Sequence, residues 1–144
     1  MICFAHEFEK EVYHMILTAS MEDYLEAVLV LQKKYGAVRC VDVSMQLGVT
    51  KPSVSRAVKE LTKMGYLVKQ ADGTLFLTNQ GQKLAKQVYE KHQFFTHQLI
   101  KVGVPEDVAA QDACRLEHVI SETSYRKLKE AALEKDQGVI LSDE

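Results

Sequence analysis

Proline and glycine are scarce in this sequence, and two prolines with seven glycines in 144 residues leave no room for a long disordered tail. Long hydrophobic runs are missing too: Glu, Lys or Gln interrupts each apolar patch well short of the roughly 18 residues a membrane-spanning helix needs. No membrane association is expected. Cysteine is sparse and unpatterned. Cys3, Cys40 and Cys114 form no CxxC pair and are odd in number, which excludes a disulfide scaffold and predicts reduced thiols. The opening residues, MICFAHEFEKEVYHMIL, lack the basic start and small-residue cleavage site of a secretory leader, so a cytoplasmic location is expected. Met15 and Met21 each offer an alternative start, and residues 1–19 are read as an N-terminal extension without an assigned role.

What remains is an ordinary globular composition, 47% apolar and 26% charged, in a 16.3 kDa chain. That size holds one domain, or a small domain with a helical appendage, and excludes a large multidomain enzyme. The net charge of −2 hides a partition along the chain. Residues 1–31 carry one basic and six acidic side chains, residues 32–70 eight and two, and residues 71–144 nine and twelve. The blocks are −5, +6 and −3. A basic block between acidic ones points to a phosphate-facing module joined to a part that holds cations or a partner; the bland alternative is chance clustering on a solvated surface.

Periodicity supplies the elements. Ser20 precedes MEDYLEAVLVLQKKYG, whose apolar positions recur at helical spacing; Asp23 lies three after the serine, as in a capping box, and Gly36 closes the run. Asp42 to Leu47 ends at Gly48, and Thr50 caps KPSVSRAVKELTKMG, with Pro52 in its first turn and Gly65 as its stop. Val54, Ala57, Val58 and Leu61 form one buried face of that second helix. Two short strands about Asp72-Gly73 then read as a hairpin. From a Thr78 cap a long helix is expected to about Ile100. A second follows over about Pro105 to Ile120, and a third runs from a Ser121 to Ser124 cap to about Lys135. The fold expected is mainly α: a winged helix-turn-helix domain over 20–78, then an all-helical metal-binding and dimerisation domain over 79–144.

Helix, glycine turn, helix and the first strand of the wing lie inside the +6 block, as a DNA-reading module requires. Ser53, Ser55 and Arg56, near the start of the second helix, suit base edges, whereas Lys51, Lys59 and Lys63 suit phosphates, and Arg39 is a further DNA-binding candidate. The competing reading is the solvated face of a winged domain that binds protein. A second constellation has metal-ligand chemistry. Cys114, Glu117 and His118, spaced i, i+3, i+4, offer thiolate, carboxylate and imidazole from one helix face. Asp23 and Glu26 present two carboxylates at i and i+3, and His92 lies on the long helix. Each has a structural alternative: a capping aspartate, a solvated glutamate, a small buried cysteine, a satisfied core histidine.

These residues resemble the diphtheria toxin repressor family of metal-activated bacterial transcription repressors, which includes the manganese transport regulators. The segments that carry the likeness are SMEDYLEAV, LGVTKPSVSRAVKEL, LTNQGQKLA with Lys91-His92, and DACRLEHVIS, across about Ser20 to Lys129. The resemblance implies a homodimer that binds a palindromic operator when divalent metal locks its two domains. It places Asp23, Glu26, His92, Cys114, Glu117 and His118 at the family's metal-binding positions. Manganese regulators share Asp at 23 with Glu at 26 and His at 92 but carry Glu at 114; iron regulators share the ACRxEHV run but have Met at 23. Ala110 and Thr96 stand where the iron type has ancillary ligands, and the chain ends before the SH3-like domain of the longer members. The compact form is therefore expected. It would have one strong site per chain and a second built from Glu26, His92 and a shared Cys114 or Glu117. Mn(II) or Fe(II) is the expected co-repressor, with Zn(II) and Co(II) as in-vitro substitutes. No catalysis and no small organic substrate are expected. The rival readings are a winged-helix regulator that senses no metal and a small metallohydrolase whose glutamate serves as general base.

Overall fold

In the computed structural model, which describes residues 18–140, the secondary structure runs α1 (Ala19–Tyr35), α2 (Cys40–Leu47), α3 (Lys51–Lys63), β1 (Leu67–Lys69), β2 (Leu75–Leu77), α4 (Asn79–Lys101), α5 (Glu106–Val119) and α6 (Glu122–Ile140). Most of the expected N-terminal extension, including Cys3, lies outside the described residues. Two compact units divide the chain after Ala85, inside α4.

The first unit is the winged arrangement. α1 begins earlier than the Ser20 cap predicts. Thr18 is extended (φ −62°, ψ 153°), and its hydroxyl accepts the Met21 amide at 3.2 Å, which leaves Ser20 inside the first turn and Asp23 outside any capping box. Tyr24, Leu25, Ala27, Val28, Leu29 and Leu31 of α1 are buried. They join Val43 of α2, and Val54, Val58 and Leu61 of α3, in the core of this unit. Each fully buried aliphatic side chain there contributes about 1.5–3 kcal/mol.

α2 starts at Cys40, two residues before the expected Asp42, because the Asp42 carboxylate reaches back to accept the Arg39 amide at 2.8 Å. Gly48 closes it in the left-handed region (φ 65°). Thr50 then caps α3, accepting the Ser53 amide at 3.3 Å, so the two helices are joined by the short turn the sequence predicts.

The hairpin pairs Leu67 with Leu77, Val68 with Phe76 and Lys69 with Leu75. Its turn differs from a two-residue Asp-Gly turn. Only Gly73 has positive φ, the Gly73 amide bonds the Gln70 carbonyl at 2.9 Å, and the Gln70 amide bonds the Thr74 carbonyl at 2.9 Å. That is the longer loop in which an ordinary turn precedes one left-handed glycine. Asp72 contributes by accepting the Thr74 amide at 2.9 Å, and this bond holds its carboxyl below the ordinary aspartate range. A bridge that the sequence does not announce adds a third edge: the Leu75 amide donates to the Val38 carbonyl at 2.8 Å.

The second unit joins the rest of α4 to α5 and α6. Phe95, Ala113 and Tyr125 are its buried centre, with Phe94, Leu116 and Ile120 packed against them. Phe94 meets both Phe95 and Tyr125 edge-on, with centroids 5.2 and 5.5 Å apart, the arrangement the ring quadrupoles favour. Ser121 caps α6 by accepting the Ser124 amide at 3.1 Å. α6 then runs to Ile140, past the expected Lys135, with Asp136 paired to Lys101 of α4.

Two predictions follow from this packing. Thr18→Ala lowers unfolding free energy by about 1 kcal/mol in urea titrations, whereas Ser20→Ala stays within about 0.5 kcal/mol of the parent. Tyr125, 6% exposed, has its phenol pushed above the ordinary value by burial first and then by Glu90 and Glu122. A raised phenol contributes stability below about pH 10 that is lost as pH rises through the folded value. Tyr125→Phe therefore flattens the alkaline limb of the stability profile. An unchanged limb would assign that limb to other groups.

Candidate metal centre and nucleic-acid interface

α5 follows Pro105, places Glu106 and Asp107 in its first turn and carries His118 in its last, each charge on the favoured end of the helix dipole. Its inner stripe is Ala109, Ala113 and Glu117, all buried and four residues apart. Two alanines let neighbouring helices approach; the third position of the same stripe is a carboxylate, 2% exposed.

That carboxylate is bracketed by imidazoles. Glu117 Oε2 lies 3.0 Å from His92 Nδ1, and Oε1 lies 3.2 Å from His118 Nε2. Neither Glu117 oxygen takes part in a hydrogen bond among the described residues. Ligand atoms of Cys114, Glu117 and His118 lie within 4.8 Å of one another. His92 is steadied by its neighbour: Lys91 Nζ reaches Glu122 Oε2 of α6 at 3.1 Å and stands 5.5 Å above the Tyr125 ring. A buried carboxylate without donors costs several kcal/mol unless positive charge stands beside it. A carboxylate oxygen, two imidazole nitrogens and a thiol sulfur are a donor set that a divalent transition ion fits.

Four of the six predicted metal-site residues, His92, Cys114, Glu117 and His118, thus come together within the second unit. Asp23 and Glu26 belong to the first, where they stand about one turn apart on α1, both half-buried beside the core residues Tyr24, Leu25 and Ala27.

The nucleic-acid side is set by α3. Burial of Val54, Val58 and Leu61 leaves Lys51, Ser55, Arg56, Lys59 and Lys63 exposed, with Ala57 half-buried at the edge. Ser53 is also half-buried, and its hydroxyl is shared with Thr50 at 2.8 Å. Arg39 is exposed at the start of α2. Glu60 is the one acid on α3, and it pairs with Lys63 at 3.5 Å. Lys51, Arg56 and Lys59 remain as forward-placed cations. Sequence reasoning passed over Lys91, whose signal is its place beside His92. It also passed over Gly81, three residues after a threonine cap inside a helical pattern.

Comparisons with known proteins agree with this geometry. Residues 16–75 match the iron dependent repressor N-terminal DNA binding domain, and residues 78–134 match the iron dependent repressor metal binding and dimerisation domain. The transcriptional regulator MntR of Escherichia coli O157:H7 is 36% identical over 102 residues, 71% of this chain and 66% of that protein. The HTH-type transcriptional regulator MntR of Lysinibacillus sphaericus is 34% identical over 111 residues, 77% of this chain and 80% of its own length. Among solved structures, the manganese regulator SloR aligns at a TM-score of 0.71 with 26% identity, over 78% of this chain. The alignment spans 53% of SloR.

Proposed function

This chain belongs to the iron-dependent repressor family, the family of the diphtheria toxin repressor, and from that premise we propose that it is a homodimeric, metal-activated repressor of metal-uptake genes. The observation that carries the reading is the buried Glu117 carboxylate, which takes no hydrogen bond and is flanked by two imidazoles in a unit that follows a winged helix-turn-helix. A non-sensing winged regulator has no use for that arrangement. A hydrolase would need an open coordination position and a substrate pocket beside it, and the family consists of DNA-binding regulators.

His92, Cys114, Glu117 and His118 would hold the cation together with Asp23 and Glu26 of α1, as one strong site and a second built from Glu26, His92 and a shared Cys114 or Glu117. When bound, the cation supplies the positive charge that lets three carboxylates and a thiolate share one small volume. Glu117 stands between the two imidazoles, and His92 and His118 would each offer a ring nitrogen to a cation held there. Asp23 and Glu26 tie α1, and with it the unit that carries α3, to this cluster. Because the ligand favours the tied arrangement, it shifts the population toward the DNA-competent form.

Manganese is the first choice, because hard carboxylates predominate and because the similar SloR is a manganese regulator. Cys114 adds a thiolate that broadens acceptance toward Fe(II), with Zn(II) and Co(II) as in-vitro substitutes. On the DNA side Arg56 and Ser55 meet base edges of a palindromic operator, and Arg39, Lys51, Lys59 and Lys63 meet phosphates. Val108 and Val119 of α5, with Leu128 and Leu133 of α6, are exposed and supply apolar surface for the dimer. Its work on chromosomal DNA places the protein in the cytoplasm. Among the described residues no helix is long and apolar enough to cross a membrane.

An anaerobic Mn(II) titration followed by electron paramagnetic resonance is expected to show saturation near about one or two equivalents per chain, with Fe(II) competing. His118→Ala and Asp23→Ala are expected to remain folded and to lose metal-stimulated operator binding; normal stimulation in both would sink the site assignment. Arg56→Ala weakens operator binding by about 1–3 kcal/mol and relaxes discrimination at one base pair. Lys59→Ala weakens all sequences alike and makes the salt dependence shallower.

A further inference from the structure

The first turn of α4 is built against the stretch that links α3 to β1, and the fit is unusually close. A Cβ on Gly81 would stand 2.0 Å from the Tyr66 carbonyl oxygen and 2.9 Å from its carbonyl carbon. Real side chains do not approach that closely, so the helix backbone can occupy this place only because residue 81 has none. Thr78 completes the contact from three directions. Its amide donates to the Tyr66 carbonyl at 3.1 Å, its hydroxyl donates to the Gly65 carbonyl at 2.6 Å, and the same oxygen accepts the Gly81 amide at 3.1 Å. The stretch so gripped follows α3 directly and closes it. The amides of Gly65 and Tyr66 bond the Thr62 and Leu61 carbonyls of α3 at 3.1 and 2.9 Å, with Gly65 at φ 82°. Two peptide units therefore serve two masters: their amides close α3 and their carbonyls start α4.

α4 continues without a break from this clamp to Lys101 and carries His92. We infer that the Thr78–Gly81 clamp is the positioning element through which metal capture at His92 reaches α3. This rests on the proposed function, because it concerns how that metal response is transmitted. If α4 met α3 through a slack linker, ordering at His92 would be lost before the DNA-reading face. The clamp instead ties the start of α4 to the residues that close α3 by two hydrogen bonds and one backbone contact. Thr78 and Gly81 are neither candidate ligands nor exposed cations of α3, so their effect is on coupling rather than on either binding event.

The test is the ratio of operator dissociation constants without and with saturating Mn(II), measured by fluorescence anisotropy on the full chain. Mn(II) stoichiometry and a thermal melt are recorded beside it. Gly81→Ala is expected to cut the ratio at least about tenfold while saturable Mn(II) binding and metal-free DNA affinity stay at the wild-type level. Thr78→Val is expected to cut it about threefold or more, and Thr78→Ser to restore it. A merely structural clamp would lower the melting temperature and weaken DNA binding equally with and without metal, leaving the ratio unchanged. That result overturns the inference. If Gly81→Ala does not fold, Thr78→Val decides by the same ratio. A wild-type protein whose DNA binding ignores Mn(II) overturns the proposed function and this inference together; a responsive wild type with equally responsive variants overturns the inference alone.

Discussion

Much of the second unit depends on one carboxylate buried among helices. Glu117 sits where the stripe begun by Ala109 and Ala113 would ordinarily place another apolar side chain, and it is nearly inaccessible. Such a group is tolerated only with countercharge beside it. Two imidazoles, which supply that charge only when protonated, stand about 3 Å away, one from α4 and one from the adjacent residue of α5. The surrounding choices then make sense as consequences. The alanines bring the helices close enough for His92 to reach, and Lys91 with Glu122 sets the rotation of α4 at that point. The Phe94, Phe95 and Tyr125 cluster supplies the apolar packing that the polar position forgoes.

The first unit solves the opposite problem, keeping charge outside and available. α3 is divided cleanly between a buried aliphatic face and an exposed basic one. Within the helix a single acid, Glu60, neutralises part of that face, at its C-terminal end, where Lys63 lies. The cations nearest the start of α3 are left for an external polyanion. The wing is held by two devices at its base, the Val38–Leu75 bridge and the grip of Thr78 on Gly65 and Tyr66. Its pose relative to α3 is therefore fixed by backbone hydrogen bonds.

Much of this was legible in the sequence because the deciding physics is local. Periodic apolar positions and left-handed glycines at 36, 48, 65, 73 and 103 mark the ends of helices and the turn of the hairpin. The cap hydroxyls of Thr50, Thr78 and Ser121 act within three or four residues of their targets. Ser20 misled because Thr18, two residues earlier, offers an equally good hydroxyl, and sequence alone does not rank two adjacent caps. The Asp-Gly pair misled because the same dipeptide fits a two-residue turn and the end of a longer loop; the pairing of Gln70 with Thr74 decides between them. The Val38 bridge and the Gly81 approach were invisible, since both depend on segments distant in sequence meeting at a single atom. The ligand spacing CxxEH was readable as one helix face. That its glutamate would be the buried member, with cysteine and histidine at its flanks, follows from which face α5 turns inward.

The charge partition gains its meaning from these two units taken together. Asp23 and Glu26 lie on α1, whose three acids (Glu22, Asp23 and Glu26) and two lysines (Lys33 and Lys34) give it a net charge of −1 in the unit that also carries the basic α3. Acidic side chains on a small basic module reduce its potential over roughly a Debye length, about 8 Å at physiological ionic strength. If the proposed function holds, ligation of those two carboxylates by a divalent cation would offset that charge and tie α1 to the metal centre, so that one event would act on geometry and on field. A divalent cation adds two positive charges whatever ligands hold it; carboxylates differ from an asparagine or a water in making the metal-free field more negative to begin with. Neutral donors at 23 and 26 would leave a metal-responsive protein whose metal-free form binds DNA more tightly than the native chain does. In the proposed function the acids on α1 would disfavour DNA binding by the metal-free protein, and a bound cation would lift that penalty.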